Sequence, residues 1–139
     1  MDNNEEQNEV RALVEQCINK TSEQLKNEIY LEASYHNVLA HYLRQTGKFI
    51  NVHCEYNINY RLPDGYVFGI GRADIVLETA QILFIIEVKA STSTKSLSGA
   101  IGQLNRYARH IDNPTNKEID GLVISFFYRG NTRLAFLMK

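Results

Sequence analysis

The spacing of apolar positions changes along the chain, and each change predicts a change of element. Val10, Leu13, Val14, Cys17 and Ile18 follow helical spacing, which predicts a first helix behind a polar, acidic start, residues 1–9, expected to be flexible. Thr21 and Ser22 interrupt that pattern and can cap a second helix, predicted from Glu23 to Gln45 and stopped by Gly47. Its apolar positions include Leu25, Ile29, Tyr35, Val38, Leu39, Tyr42 and Leu43. After Gly47 the period becomes two: Val52, Cys54, Tyr56, Ile58 and Tyr60 alternate as a strand packed on one face. Pro63-Asp64-Gly65 is a turn signal, followed by a short extended piece, Tyr66-Val67-Phe68, and an irregular link bracketed by Gly69 and Gly71.

Residues 72–78 and 82–90 read as strands joined by Thr79-Ala80-Gln81, a connection short enough for an antiparallel hairpin. The near-continuous apolar run of the second predicts a central strand covered on both faces. A polar Ser/Thr stretch from Ser91 to Ser96 is expected to be mobile. Leu97, Ala100, Ile101, Leu104, Tyr107, Ala108 and Ile111 then mark a third helix stopped by Asn113-Pro114. Residues 121–128 predict a buried strand, and Thr132 to Met138 an edge strand. The order predicts an α/β (α+β) fold, a central mixed β-sheet flanked by helices, in a single domain spanning residues 1–139.

The local chemistry concentrates where a buried strand ends. Glu87-Val88-Lys89 follows five apolar residues, and strand geometry puts Glu87 and Lys89 on one face with Val88 on the other. With a turn centred near Ala80, Asp74 lies across from residues 85 to 87, within reach of Glu87. Two such carboxylates repel one another, and a hard divalent cation resolves the conflict with its preference for oxygen ligands. The alternative for Glu87 and Lys89 is an ordinary salt bridge at a strand end. The four histidines, His36, His41, His53 and His110, show no metal-ligand spacing, and Gly71 is expected to serve backbone geometry ahead of the Asp74 strand.

Composition narrows the classes. At 44% hydrophobic and 22% charged, the 139 residues suit an ordinary globular domain, and no apolar run approaches the roughly 18 residues needed to cross a bilayer, so no membrane partner is expected. The acidic N-terminus is no secretory signal, and Cys17 and Cys54 make neither a disulfide framework nor a zinc knuckle. An intracellular protein is expected, in the cytoplasm or, for a eukaryotic or viral source, the nucleus. Net charge is -1, but residues 1–88 hold seven Lys/Arg against thirteen Asp/Glu (7 − 13 = -6) and residues 89–139 eight against three (8 − 3 = +5). A basic face from the second half can meet a phosphate backbone, with Lys95, Arg106 and Arg109 as candidate contacts; a solvated face explains them equally well.

Asp74 followed by Glu87-Val88-Lys89 after a hairpin resembles the core of the PD-(D/E)XK nucleases. Glu32-Ala-Ser-Tyr35 with Val38-Leu39-Ala40-His41-Tyr42-Leu43-Arg44 resembles the helix of the GxxExxY family, within the RecB-like part of that superfamily. Arg72-Ala73-Asp74-Ile75-Val76, Gln103-Leu104-Asn105-Arg106-Tyr107 and Gly121-Leu122-Val123-Ile124-Ser125-Phe126 follow in the expected order, so the similarity spans about residues 25 to 128. The resemblance implies a restriction-endonuclease-like fold and a Mg²⁺- or Mn²⁺-dependent nuclease acting on DNA, structure-selective in the manner of a Holliday-junction resolvase, with a homodimer as its working form and a place in DNA repair or recombination. It assigns Asp74 and Glu87 as metal-binding acids, the Val88 carbonyl as a further ligand, Lys89 as the catalytic lysine and Glu32 as the helix glutamate completing the metal shell. Gln103 and Tyr107 match a helix motif that lines the active site, where Gln contacts substrate or water and Tyr packs or binds phosphate. Two departures stand out: Lys26-Asn27-Glu28-Ile29 occupies the stretch where the family helix opens with Gly, which leaves Glu28 as a second candidate acid, and Ala73 replaces the Pro before the aspartate. The rival reading is a catalytically inactive nuclease-fold module that binds protein or nucleic acid.

Overall fold

The computed structural model describes residues 3–28, 30–91, 97–127 and 129–138. Two helices come first, α1 (Asn3–Gln24) and α2 (Glu32–Gln45), then strands β1 (Asn51–Arg61), β2 (Val67–Glu78) and β3 (Ile82–Ser91). Helix α3 (Ser98–His110) leads to β4 (Glu118–Phe127) and β5 (Asn131–Phe136). One five-stranded sheet runs in the order β1-β2-β3-β4-β5. Only the β3–β4 pair is parallel, and α3 supplies the crossover such a pair requires. The molecule is therefore α+β, with a mixed central sheet between helical layers.

The alternation of side chains along the strands separates two cores. On one face Val14 and Ile18 of α1 and Leu39 and Leu43 of α2 pack on Ile75, Phe84, Ile86, Val88, Leu122 and Phe126. On the other, Leu104, Tyr107 and Ile111 pack on Ile58, Ala73, Val76, Ile85 and Val123. Residues Ile82 to Val88 are buried throughout, as a strand covered on both faces must be. Asp120 of β4 is fully buried and is held by Arg11 of α1 in a two-pronged ion pair, Nε–Oδ2 2.8 Å and Nη2–Oδ1 2.9 Å.

Several boundaries differ from the sequence expectation. Helix α1 begins at Asn3 rather than near Val10, and the Arg11–Asp120 pair anchors its first half to the sheet. Thr21 and Ser22 do not cap a second helix: both are buried inside α1, where the Thr21 hydroxyl donates to the Cys17 carbonyl at 2.8 Å. Helix α2 opens only at Glu32, behind Leu31, which offers no side-chain cap, so its true start carries no capping signal. The pieces around 66–68 and 72–78 are one strand, because β1 pairs with both, with a register shift between Ile58 and Asn59 absorbing the glycine-bracketed link. Strand β4 begins earlier than expected, at Glu118, and β5 at Asn131. Ile29, the segment 92–96 with Lys95, and Tyr128 lie outside the described residues. Among the described residues no helix is long and apolar enough to cross a membrane.

Candidate metal centre

The β2–β3 ladder runs from Glu78↔Leu83 to Ile75↔Ile86 and stops where Asp74 would face Glu87. Side chains take over there. The Asp74 N–H donates to Glu87 Oε1 at 3.3 Å, and the Val88 N–H donates to Asp74 Oδ2 at 2.7 Å. Each carboxylate is thus aimed by a backbone donor of the opposite strand, which fixes orientation without neutralising charge.

The pairing on the other side of Asp74 is interrupted too. Strand β1 pairs Cys54↔Ile75 and Tyr56↔Ala73 but leaves Glu55 and Asp74 out, and Glu55 adopts the left-handed conformation at φ 54. A non-glycine residue held there stores about 1–2 kcal/mol of strain. The side-chain phase of β2 reverses at the same point, since Ile75 belongs to the α1/α2 core and Ala73 to the α3 core. Unbroken alternation would put both on one face. Asp74 therefore sits at a twist in its strand, pinned by its own side chain.

Glu87 is 2% exposed and Asp74 half-buried. Burial first, and the Asp74 charge second, push the Glu87 carboxyl up to about 8 from 4.5; the Asp74 N–H and the Lys89 charge act against the shift. Lys89, half-buried, lies two residues on along the same face, beside the buried Ser125 of β4 in register. Among the described residues no ion pair joins Lys89 to Asp74 or Glu87, so the strand-end salt bridge is not what this cluster forms.

An oxygen-rich donor set fits a hard divalent cation. Two carboxylates are preoriented side by side, and one is so poorly neutralised that it holds its proton near neutral pH. Val88 points its side chain into the α1/α2 core and has only its main chain to offer. The fit is incomplete in protein ligands: among the described residues no three His, Cys, Asp or Glu side chains converge as a metal cluster. Glu32 is exposed in the first turn of α2. Its helix packs on the Val88 face of the sheet, opposite Glu87 and Lys89: Tyr35 stacks on Phe126 with centroids 4.7 Å apart, and Phe126 and its partner Ala90 face the α1/α2 core. Glu28, the second candidate acid, is exposed ahead of α2 in the turn that follows α1.

Helix α3 covers the sheet face that Glu87 and Lys89 share with Ile85. Leu104 seats on Gly121, where a Cβ would also strike the Ile85 carbonyl, and Tyr107 seats on Gly71, where a Cβ would collide with its hydroxyl. Gly71 thus serves a close approach by α3, which its neighbours in sequence do not announce. Gln103 Nε2 donates to the Tyr107 hydroxyl at 2.7 Å, linking the two motif residues one turn apart. Tyr107 is 2% exposed, so a phosphate contact through it does not survive; it is a core aromatic that anchors Gln103. Arg106 and Arg109 are exposed on α3, as phosphate contacts need to be. The basic second half does not form one face: Lys117 spends its charge on Glu78 (2.6 Å) and the Thr79 carbonyl (2.8 Å) at the opposite end of the sheet. Glu55, Ser125 and the Arg11–Asp120 pair carry no local signal in the sequence, since each depends on pairing between distant strands or helices.

No family model matches the chain, and no curated protein matches it. A solved structure described as the crystal structure of SSO0001 is similar, with 22% identity and a TM-score of 0.49 over 77% of this chain and 52% of that one. The chain spans about half the length of that structure.

Proposed function

We propose that this chain is a Mg²⁺- or Mn²⁺-dependent nuclease of the PD-(D/E)XK type that hydrolyses phosphodiester bonds in DNA. The single observation that carries the reading is the reciprocal latch of Asp74 and Glu87 across the break in the β2–β3 ladder, with Lys89 two residues on. Asp74, Glu87 and the Val88 carbonyl would hold the cation, with water filling the remaining positions. When bound, a divalent cation there supplies a water of lowered pKa and neutralises charge on a phosphate oxygen. Lys89 orients the attacking water and stabilises charge building on the pentacovalent phosphorus. Gln103, held by Tyr107, faces the same side of the sheet and can position water or a phosphate oxygen. Arg106 and Arg109 would meet the backbone of the nucleic acid.

The finer form of the proposal is a structure-selective, Holliday-junction-resolvase-like enzyme acting as a homodimer inside the cell, in repair or recombination. The direct test incubates the purified protein with single-stranded, double-stranded and branched DNA and Mg²⁺ or Mn²⁺. Cleavage that disappears in Lys89→Ala supports the reading; no cleavage above that of the Lys89→Ala control sinks it. The exposure of Glu32 favours the second reading, a binding module without catalysis. Calorimetric titration with Mn²⁺ separates the two, because heat of binding abolished by Asp74→Ala belongs to the nuclease reading alone.

A further inference from the structure

Strand β2 pairs with β3 only over residues 75–78, while its partnership with β1 continues to Arg61↔Val67. The far half of the β1–β2 hairpin is therefore an arm that leaves the sheet. Its tip is firmly built: the Leu62 N–H donates to the Tyr66 carbonyl at 2.8 Å, the Gly65 N–H to the Leu62 carbonyl at 2.9 Å and the Tyr66 N–H to Asp64 Oδ1 at 2.9 Å. Yet Tyr60, Leu62, Tyr66, Val67 and Phe68 on this arm are five of the eight large hydrophobic side chains exposed among the described residues. A two-stranded arm gains nothing by presenting them to water.

The aromatic ones form a continuous row. Tyr66 lies 6.4 Å from Phe68 with rings 24° from parallel, Phe68 lies 5.5 Å from its cross-strand partner Tyr60, and Tyr60 meets His110 of α3 at 5.0 Å. Arginines of α3 flank the His110 end of the row: Arg106, one turn before His110, and Arg109, both exposed; Arg61 on the arm turns to its other face and donates to the Gly65 carbonyl at 3.2 Å. Two of the nearby acids are engaged: Asp64 accepts from the Tyr66 N–H in the turn, and Glu55 pairs with Arg72 at 3.2 Å.

We propose that this row is a stacking platform for unpaired nucleotides of a single-stranded or frayed nucleic acid. Rings take the bases without regard to sequence and the bordering arginines take the phosphates, the combination used by single-strand binders. A second copy of the chain fits less well, because a two-fold contact through this row would bring the same arginines face to face. The proposal rests on the nuclease reading for the class of ligand only, since stacking needs no catalysis.

The experiment measures fluorescence anisotropy of a labelled oligo-dT and of a duplex of equal length, in EDTA, for the wild type, Tyr66→Ala, Phe68→Ala and the double variant. The side chains are exposed, so thermal melts of the variants should match the wild type. Single-strand affinity should fall about tenfold per ring removed, within the range that base–aromatic stacking supplies, while duplex affinity moves by less than about twofold. Unchanged single-strand affinity, or no single-strand binding by the wild type, overturns the platform. So does a dimer in light scattering that the variants dissociate while DNA affinity stays intact. Binding is read without metal, so a wild type that binds and stacks but never cleaves leaves the platform standing and removes only the nuclease reading.

Discussion

Replacing Glu87 by glutamine isolates the electrostatic conflict at the ladder break. The amide keeps an oxygen to accept from the Asp74 N–H and adds an N–H₂ that can face the Asp74 carboxylate, so shape and hydrogen bonding are nearly preserved while a buried charge is removed. In the unfolded chain Glu87 loses its proton near 4.5; in the metal-free folded protein it holds it to about 8. Between those values the folded state binds one proton more than the unfolded state, so wild-type stability falls as pH rises through the window and the loss is complete above about 8. One pH unit is worth 1.36 kcal/mol, so the difference across the window is on the order of 4 kcal/mol. Glutamine has no such slope. Near pH 4.5 the two proteins should therefore be alike, and by pH 8 Glu87→Gln should be the more stable by about 3–4 kcal/mol, which for a chain of this size is roughly 10 °C in Tm.

The assay is guanidinium unfolding followed by circular dichroism at pH 5 and pH 8, in EDTA and again in Mn²⁺. In EDTA the gap between the proteins should open with pH. In Mn²⁺ at pH 8 the wild type should recover stability, since a cation replaces the proton between the acids, and Glu87→Gln should recover far less. Parallel pH profiles, or a glutamine variant less stable than wild type at pH 8, would refute the reasoning, because either result means that Glu87 is ionised at no cost.

Four further outcomes follow from named contacts. Arg11→Ala strands the fully buried Asp120 and should cost about 3 kcal/mol in chemical denaturation. The Asp120 carboxyl is held below its ordinary value: burial pushes it up, but Arg11, the Gly121 N–H and Gln7 together outweigh that. The stability it contributes should therefore be present above about pH 4 and disappear as pH falls below it, a loss that acid titration of Arg11→Ala should no longer show. Gly71→Ala drives a Cβ into the Tyr107 hydroxyl and should cost about 1–3 kcal/mol, with part of the loss recovered in the Gly71→Ala/Tyr107→Phe double mutant by a thermodynamic cycle. Glu55→Gly relieves a left-handed non-glycine residue and should raise stability by about 1 kcal/mol in the same assay, because the exposed pair with Arg72 that it removes is worth little.

Legibility in the sequence followed the range of the interactions. The strand pair 72–78 and 82–90, the burial of β3 and the helix after the polar stretch are written in local periodicity, and Asp74 opposite Glu87 follows from a hairpin of known length. The start of α2 was not legible, because Leu31 is a helix-starter without a capping side chain and Thr21 satisfies its hydroxyl inside α1 instead. The partner of Asp120 could not be read at all, since Arg11 lies 109 residues away. At the candidate site, Gln103 and Tyr107 stand out as a pair only through the resemblance to a family helix motif, and the burial of Tyr107 under Gly71 is a tertiary fact. Glu32 shows the converse: its place in a motif does not bring it into contact with the acids.

The position of the two breaks bears on what Asp74 is for. A strand-end acid that served folding alone would pair with a cation and leave the ladder intact. Asp74 instead coincides with the end of the β2–β3 pairing, the gap in the β1–β2 pairing and the reversal of side-chain phase in β2. Each of these gives up backbone hydrogen bonds or adds strain, and their common effect is to turn one carboxylate toward another in a partly buried site. Local rules broken together at one residue are a pattern that functional sites show, and they favour the proposed metal site over a purely structural role for Asp74. The same break releases the far half of the hairpin from β3 and so frees the aromatic arm. A single irregularity thus underlies both the acid pair and the exposed aromatic arm. On this view a variant that restores an unbroken ladder at residue 74 should gain stability and lose the metal response.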